Sequence, residues 1–187
     1  MPIPRLTPDH TALLVIDVQD RLLPTIIDAD RVVANCATLL RMSTELNLPY
    51  LVTEQYPRGL GRTAQPILDA MPDQSRRVEK TIFSAAVDLV VQQLDGWGCR
   101  TVLICGMESH VCVLQTVLDL QAGGRQCFVC IDAVSGSQRE QMQPAYARMR
   151  DAGAVITGVT SAVYEMMRDA RHQAFKPVLE LTKQLQF

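Results

Sequence analysis

The stretch Thr101-Val-Leu-Ile-Cys105-Gly-Met-Glu-Ser-His-Val-Cys112, continued by Val113 to Ala122, Gly123-Gly124 and Gln126-Cys-Phe-Val-Cys-Ile131, decides the fold. Thr101 to Cys105 is a short apolar run, the pattern of a strand buried on both faces. Helical text covers about Ser109 to Ala122 and stops at paired glycines, which suit a left-handed C-cap. A second buried strand runs from Gln126 to Ile131. Strand, helix and strand within about 30 residues make a parallel crossover unit.

The same alternation extends in both directions. Ala12 to Ile16 reads as a buried strand ending at Asp17. A helix is expected from about Ala29 to Leu46, with Val32, Val33, Cys36, Leu39 and Leu40 at helical spacing. Tyr50 to Thr53 is the second strand, and Gln55 to Arg76 reads as a loop punctuated by glycine and proline. Arg77-Val78-Glu79 is a weaker third strand, Asp88 to Leu94 a helix, and about Gln138 to Asp151 another. Ala154-Val-Ile156 is the sixth strand. One or two helices follow from Ala162, the last with Val178, Leu181 and Leu185 as an apolar stripe. The expectation is an α/β fold with a six-stranded, mainly parallel sheet covered on both faces, in one domain over 1–187.

Composition narrows the function classes. The 187 residues are 48% hydrophobic, enough for a core without disulfides, and 18 basic against 20 acidic residues leave a net charge of −2. No basic stripe supports binding to nucleic acid. No apolar stretch approaches the roughly 20 residues of a membrane span, and Met1 to Arg5 lacks the pattern of a secretory signal. Six cysteines, at 36, 99, 105, 112, 127 and 130, lie within apolar segments. They read as buried or reactive thiols of a reducing, cytoplasmic compartment. Cys127 and Cys130 sit three apart in a strand and so point to opposite faces, against a zinc knuckle or a thioredoxin motif.

Ligands of open α/β sheets bind beyond the carboxyl ends of the strands. That rule selects Asp17, Thr53-Glu54-Gln55, Lys80, Gly106 to Cys112, and Asp132. The glycine patterns of dinucleotide and P-loop sites are missing, as is the serine-hydrolase elbow. Cys112 falls in the first turn of a helix if Ser109 is the N-cap, a position where amide groups and the dipole favour thiolate. No histidine is well placed as its base. His110 is two residues away on a helix, His10 lies at the wrong end of the first strand, and His172 belongs to the C-terminal region. Asp17, at the binding edge, is the better base, and Lys80 is a partner for its charge. The other five cysteines read as packing.

Three segments carry a resemblance. Leu14-Val-Ile-Asp17-Val-Gln-Asp20, Glu79-Lys80-Thr-Ile-Phe-Ser84 and Gly106-Met-Glu-Ser-His-Val-Cys112-Val resemble, in order, the signatures of the isochorismatase-like cysteine hydrolases. The similarity extends over about residues 8 to 180. Thr53 to Gly61 and Asp169 to Lys176 resemble the subgroup called isochorismatase domain-containing proteins. The resemblance implies a three-layer Rossmann-like sandwich with Cys112 as nucleophile, Asp17 as proton acceptor and Lys80 as the cation beside both. It further implies an oxyanion hole from the backbone amides of Glu108 and Cys112, a cis Met107–Glu108 bond, and a homo-oligomer, dimer or larger. Glu54, Gln55, Tyr56 and Phe83 are expected to line the substrate pocket.

Cys112 argues against isochorismate as substrate, because relatives that cleave that vinyl ether lack the cysteine. Thr53-Glu-Gln-Tyr56 stands where nicotinamidases of the family place zinc-binding histidines, so no metal or other cofactor is expected. The expected activity is hydrolysis of a small amide, ureide or related C–N bond through a thioester. The alternative is a catalytically silent binding or scaffold protein of the same fold.

Overall fold

The computed structural model describes residues 3–187; Met1 and Pro2, part of the N-terminal signal reading, lie outside them. Its strands are β1 (Thr11–Ile16), β2 (Tyr50–Gln55), β3 (Arg77–Lys80), β4 (Thr101–Met107), β5 (Gln126–Ser135) and β6 (Val155–Thr157). They form one sheet in the order β3-β2-β1-β4-β5-β6, with every adjacent pair parallel. The helices are α1 (Ala29–Glu45), α2 (Pro57–Leu60), α3 (Gln65–Ala70), α4 (Asp88–Gly96), α5 (Leu114–Ala122), α6 (Arg139–Asp151), α7 (Val159–Met167) and α8 (Phe175–Thr182).

Two apolar layers sandwich the sheet. Leu13, Val15, Val52, Leu103 and Phe128 face Val32, Leu39 and Leu40 of α1, with Val163 and Val178 from the C-terminal helices. Leu14, Ile16, Leu51, Ile104 and Val129 face the other layer, built on Val90, Leu94, Val117, Leu120 and Met149. Successive strand residues point to opposite faces, so burial on both makes the strands nearly continuous in apolar residues. Cys127 joins one layer and Cys130 the other, as their spacing predicts. The stripe of Val178, Leu181 and Leu185 packs onto the chain's own core.

Helices cover both faces, and the sheet is wholly rather than mainly parallel. Other differences from the sequence reading have local causes. The supposed loop at 55–76 holds α2 and α3, because Pro57 and Pro66 stand in the first turns of helices, where a missing N–H costs nothing. β5 runs on to Ser135, with a register shift: Ile104 pairs with Val129, but Gly106 pairs with Val134. The shift frees Asp132 to accept the Val159 amide at the start of α7. Ser109 is not the expected cap. A π-helical turn, Ser109–Val113, follows Glu108, and the Ser109 hydroxyl is buried without a partner. Gly124 does take the left-handed conformation expected after α5.

The strand order sets where a ligand can bind. The chain winds from β1 outward to β3 on one side, then crosses back to β4 and continues to β6 on the other. The connections leave β1 and β4 in opposite directions, opening a crevice beyond their carboxyl ends. Ile16 and Gly106 are paired there. Gly106 has φ +116°, and a Cβ at this position would lie 2.1 Å from the Ile16 carbonyl oxygen. Glycine is required because two backbones nearly touch. No described helix is long and apolar enough to cross a membrane.

Candidate active site

The three strands on one side of the crevice, β1, β2 and β3, each bring a polar residue to it at or just past their carboxyl ends: Asp17, Gln55 and Lys80. Asp17 follows β1 with φ 52°, in the left-handed region that an aspartate tolerates better than most residues. Its amide donates to the Thr53 carbonyl, extending the β1–β2 pairing by one residue. Lys80, the last residue of β3, projects inward. Its Nζ lies 2.7 Å from Asp17 Oδ2, and both side chains are fully buried. Thr53 donates its hydroxyl to the other carboxylate oxygen at 2.7 Å.

The ammonium is saturated. Besides Asp17 it donates to Gln55 Oε1 at 2.7 Å and to the Phe83 carbonyl at 2.8 Å, with the Ile82 carbonyl at 3.3 Å. An ammonium has three N–H donors, so Lys80 has none to spare for a ligand and acts on its surroundings by charge. Gln55 is engaged at both ends, since its Nε2 donates to the Thr81 carbonyl. Gln19 holds Gln55 in turn. Its amide oxygen accepts the Gln55 N–H at 2.7 Å, and its Nε2 donates to the Gln55 carbonyl at 3.1 Å. This side-chain amide continues the β1–β2 ladder where the strands diverge.

Cys112 enters from the β4 side, in the π-helical turn, with its thiol close enough to Asp17 for the carboxylate to act on its titration. The helix N-terminus was expected to favour thiolate. Instead, burial and then the Asp17 charge push this thiol up to about 12, and Lys80 and the Glu108 backbone amide oppose them only in part. The resting group is therefore a neutral thiol beside a carboxylate. The Glu108 backbone amide acts on the thiol in the direction that favours thiolate, and the Met107–Glu108 peptide bond is cis, as the resemblance implies.

The sequence-selected residues thus divide. Asp17, Lys80, Cys112, the Glu108 amide and Gln55 meet in one buried cluster. Tyr56 and Phe83 stand at its edge, 53% and 54% exposed. Tyr56 borders a cleft of about 630 Å³ that it shares with Arg58, Lys80 and Ile82, beside the cluster. Glu54 is turned away: it accepts the amide and hydroxyl of Thr63 and pairs with Arg77. His110 faces the Glu108 carboxylate, 3.9 Å away, and packs on Gly136. Among the described residues no group of three or more His, Cys, Asp or Glu is placed to hold a metal ion.

Sequence reasoning missed Gln19, Thr53 and Thr116. Thr53 was on the strand-end list, but its hydroxyl had no assigned partner. Gln19 lies two residues past Asp17, and Thr116 lies four past Cys112, on the same helical face. The Thr116 hydroxyl donates to the Cys112 carbonyl at 2.6 Å. A polar residue at i+4 from a candidate nucleophile, inside an apolar helix, was the available signal.

Comparison with known proteins places this geometry. The family model described as Isochorismatase domain matches residues 11–161. Isochorismatase domain-containing protein 2A of Mus musculus is 37% identical over 96% of this chain and 86% of its own. The solved structure of MAR1 ribonuclease from Caenorhabditis elegans superposes with a TM-score of 0.91, 31% identical over 95% of this chain and 92% of that one. The YcaC gene product of Escherichia coli, described as an octameric hydrolase of unknown specificity, gives 0.90 at 25% identity, covering 99% and 92%. A doubly wound sheet, a crevice between β1 and β4, and a match over most of the chain agree: the protein belongs to the isochorismatase family and has its hydrolase fold.

Proposed function

We propose that the protein is a metal-independent cysteine hydrolase of a small amide, ureide or related C–N bond, with Cys112 as nucleophile. One observation carries this reading: a buried thiol beside a carboxylate that is itself ion-paired with a buried ammonium. A buried carboxylate beside a neutral thiol is a base waiting for a proton. As sulfur attacks the carbonyl carbon, the thiol proton passes to Asp17. Lys80 keeps the site's charge balanced, and the amides of Glu108 and Cys112 receive the developing oxyanion. Collapse breaks the C–N bond, and Asp17 returns the proton to the departing nitrogen. Water, activated by Asp17, then cleaves the thioester and restores the thiol.

In this reading Gln55 acts through Lys80, and Tyr56 and Phe83 contact substrate at the mouth. The small-molecule substrate enters a site built for charge balance rather than for a polyanion, so neither nucleic acid nor membrane is a partner. The six cysteines, all unpaired and buried, suit a cytoplasmic location. The octameric relative supports a homo-oligomer.

A panel of small amides and ureides, with an RNA oligonucleotide as a further substrate, tests the proposal on the wild-type protein and Cys112→Ala. Turnover of a C–N substrate that survives chelation and is lost in Cys112→Ala is the expected result. Turnover retained in Cys112→Ala removes the nucleophile assignment, and activity abolished by chelator and restored by zinc removes metal independence. Cleavage of RNA alone replaces the substrate class with the one that names the C. elegans protein. No turnover of any member favours the silent scaffold.

A further inference from the structure

Thr116 is fully buried on α5, and its hydroxyl makes two short contacts. It donates to the Cys112 carbonyl at 2.6 Å and accepts the Ala85 amide at 2.7 Å. Ala85 belongs to residues 81–87, which join β3 to α4. The same segment is held at its other end by Lys80, whose Nζ takes the Phe83 carbonyl at 2.8 Å and the Ile82 carbonyl at 3.3 Å. That ammonium is also the partner of Asp17. The segment is therefore tied twice to the site, once through the cation to the carboxylate and once through Thr116 to the backbone of Cys112.

Neither tie is replaceable locally. The Ala85 residue is fully buried, and its amide would lose its acceptor if the hydroxyl were removed; a buried amide without a partner is seldom tolerated. Rearrangement of the segment is the way to relieve it. Such a movement draws the Ile82 and Phe83 carbonyls off Lys80 and loosens the packing around Cys112, which shares one apolar cluster with Ala85. We infer that Thr116 is a positioning residue that locks the 81–87 segment to Cys112, so that the cover of the site and the thiol respond as one unit. Its catalytic meaning rests on the nucleophile reading of Cys112, whereas the coupling itself does not.

The experiment compares Thr116→Val and Thr116→Ser with wild type by amide hydrogen exchange at Ala85 and by the pH profile of iodoacetamide alkylation at Cys112. In Thr116→Val, Ala85 exchange accelerates about tenfold or more, and alkylation rises about threefold or more with its profile moved to lower pH; Thr116→Ser restores both. A valine variant that speeds Ala85 exchange but leaves the alkylation profile unchanged overturns the coupling. So does one in which all core amides accelerate equally. If the valine variant does not fold, wild type decides: linkage is reciprocal, so alkylating Cys112 must change exchange at Ala85, and an unchanged amide refutes the proposal. Neither readout needs a substrate. Turnover retained in Cys112→Ala would remove the nucleophile reading, whereas the two readouts above decide the coupling.

Discussion

Lys80 and Asp17 form a buried ion pair that is useful only while both partners are present. Attraction between buried charges barely offsets their desolvation, but removing one partner leaves the other uncompensated. Lys80→Met is therefore expected to destabilise the protein by about 3–5 kcal/mol in urea unfolding. The double variant Asp17→Asn, Lys80→Met should recover much of that loss; equal losses in both would mean that the pair is not the cause. Asp17 and Lys80 were legible in the sequence because each sits at or just past the end of a strand, where a charge needs a reason. The hydrogen-bonding partners were not. Gln19, Thr53 and Thr116 are ordinary polar residues until the fold shows that a carboxylate, an amide or a carbonyl lies within reach. The ionisation of Cys112 was also misjudged. Position at a helix start favours thiolate, but burial outweighs it when the sulfur is shut away beside a carboxylate.

At the scale of elements, the crevice depends on how closely β4 can approach β1. Gly106→Ala places a methyl group 2.1 Å from the Ile16 carbonyl, at a φ of +116°. Overpacking and backbone strain together predict a loss of about 3 kcal/mol or more. Chemical denaturation checks this, and a loss under about 1 kcal/mol would show that the β1–β4 contact relaxes freely. The strands and long helices were readable because burial on both faces of a parallel sheet leaves continuous apolar runs. The short helices α2 and α3 were not, since proline marks a helix start as readily as a turn. The true end of β5 was hidden by its register shift, which places the half-exposed Ile131 and the polar Asp132 inside a strand and breaks the apolar pattern.

For the whole molecule, buried thiols make alkaline pH the vulnerable side. Cys112 and Cys127 are each pushed up from an ordinary 9.0 to about 12, chiefly by burial. The folded state thus holds these protons more tightly than the unfolded chain. Their contribution to stability is complete below pH 9 and is lost as pH climbs toward 12. Urea midpoints should fall steadily across that window, and a flat profile would mean that the thiols are solvated. Assembly is a separate matter. The C-terminal apolar stripe is spent on the core, whereas Tyr56, Ile82, Phe83 and Leu89 remain more than half exposed. Light scattering at micromolar concentration should give a multiple of the 20.8 kDa chain mass; the mass of one chain would contradict the proposed homo-oligomer.

The central claim is that Cys112 is the reactive thiol, and limited iodoacetamide labelling followed by peptide mass mapping tests it most directly. Six free cysteines compete in the same molecule, so each serves as a control for the others. Asp17 beside Cys112 can take its proton as the carbon–sulfur bond forms; Cys105 and Cys130 feel the Asp132 charge but have no exposed surface for the reagent. Cys112 is expected to be modified well before the other five, and Asp17→Asn to slow its labelling. Faster labelling of Cys36 or Cys127, or a Cys112 rate indifferent to Asp17→Asn, would contradict it.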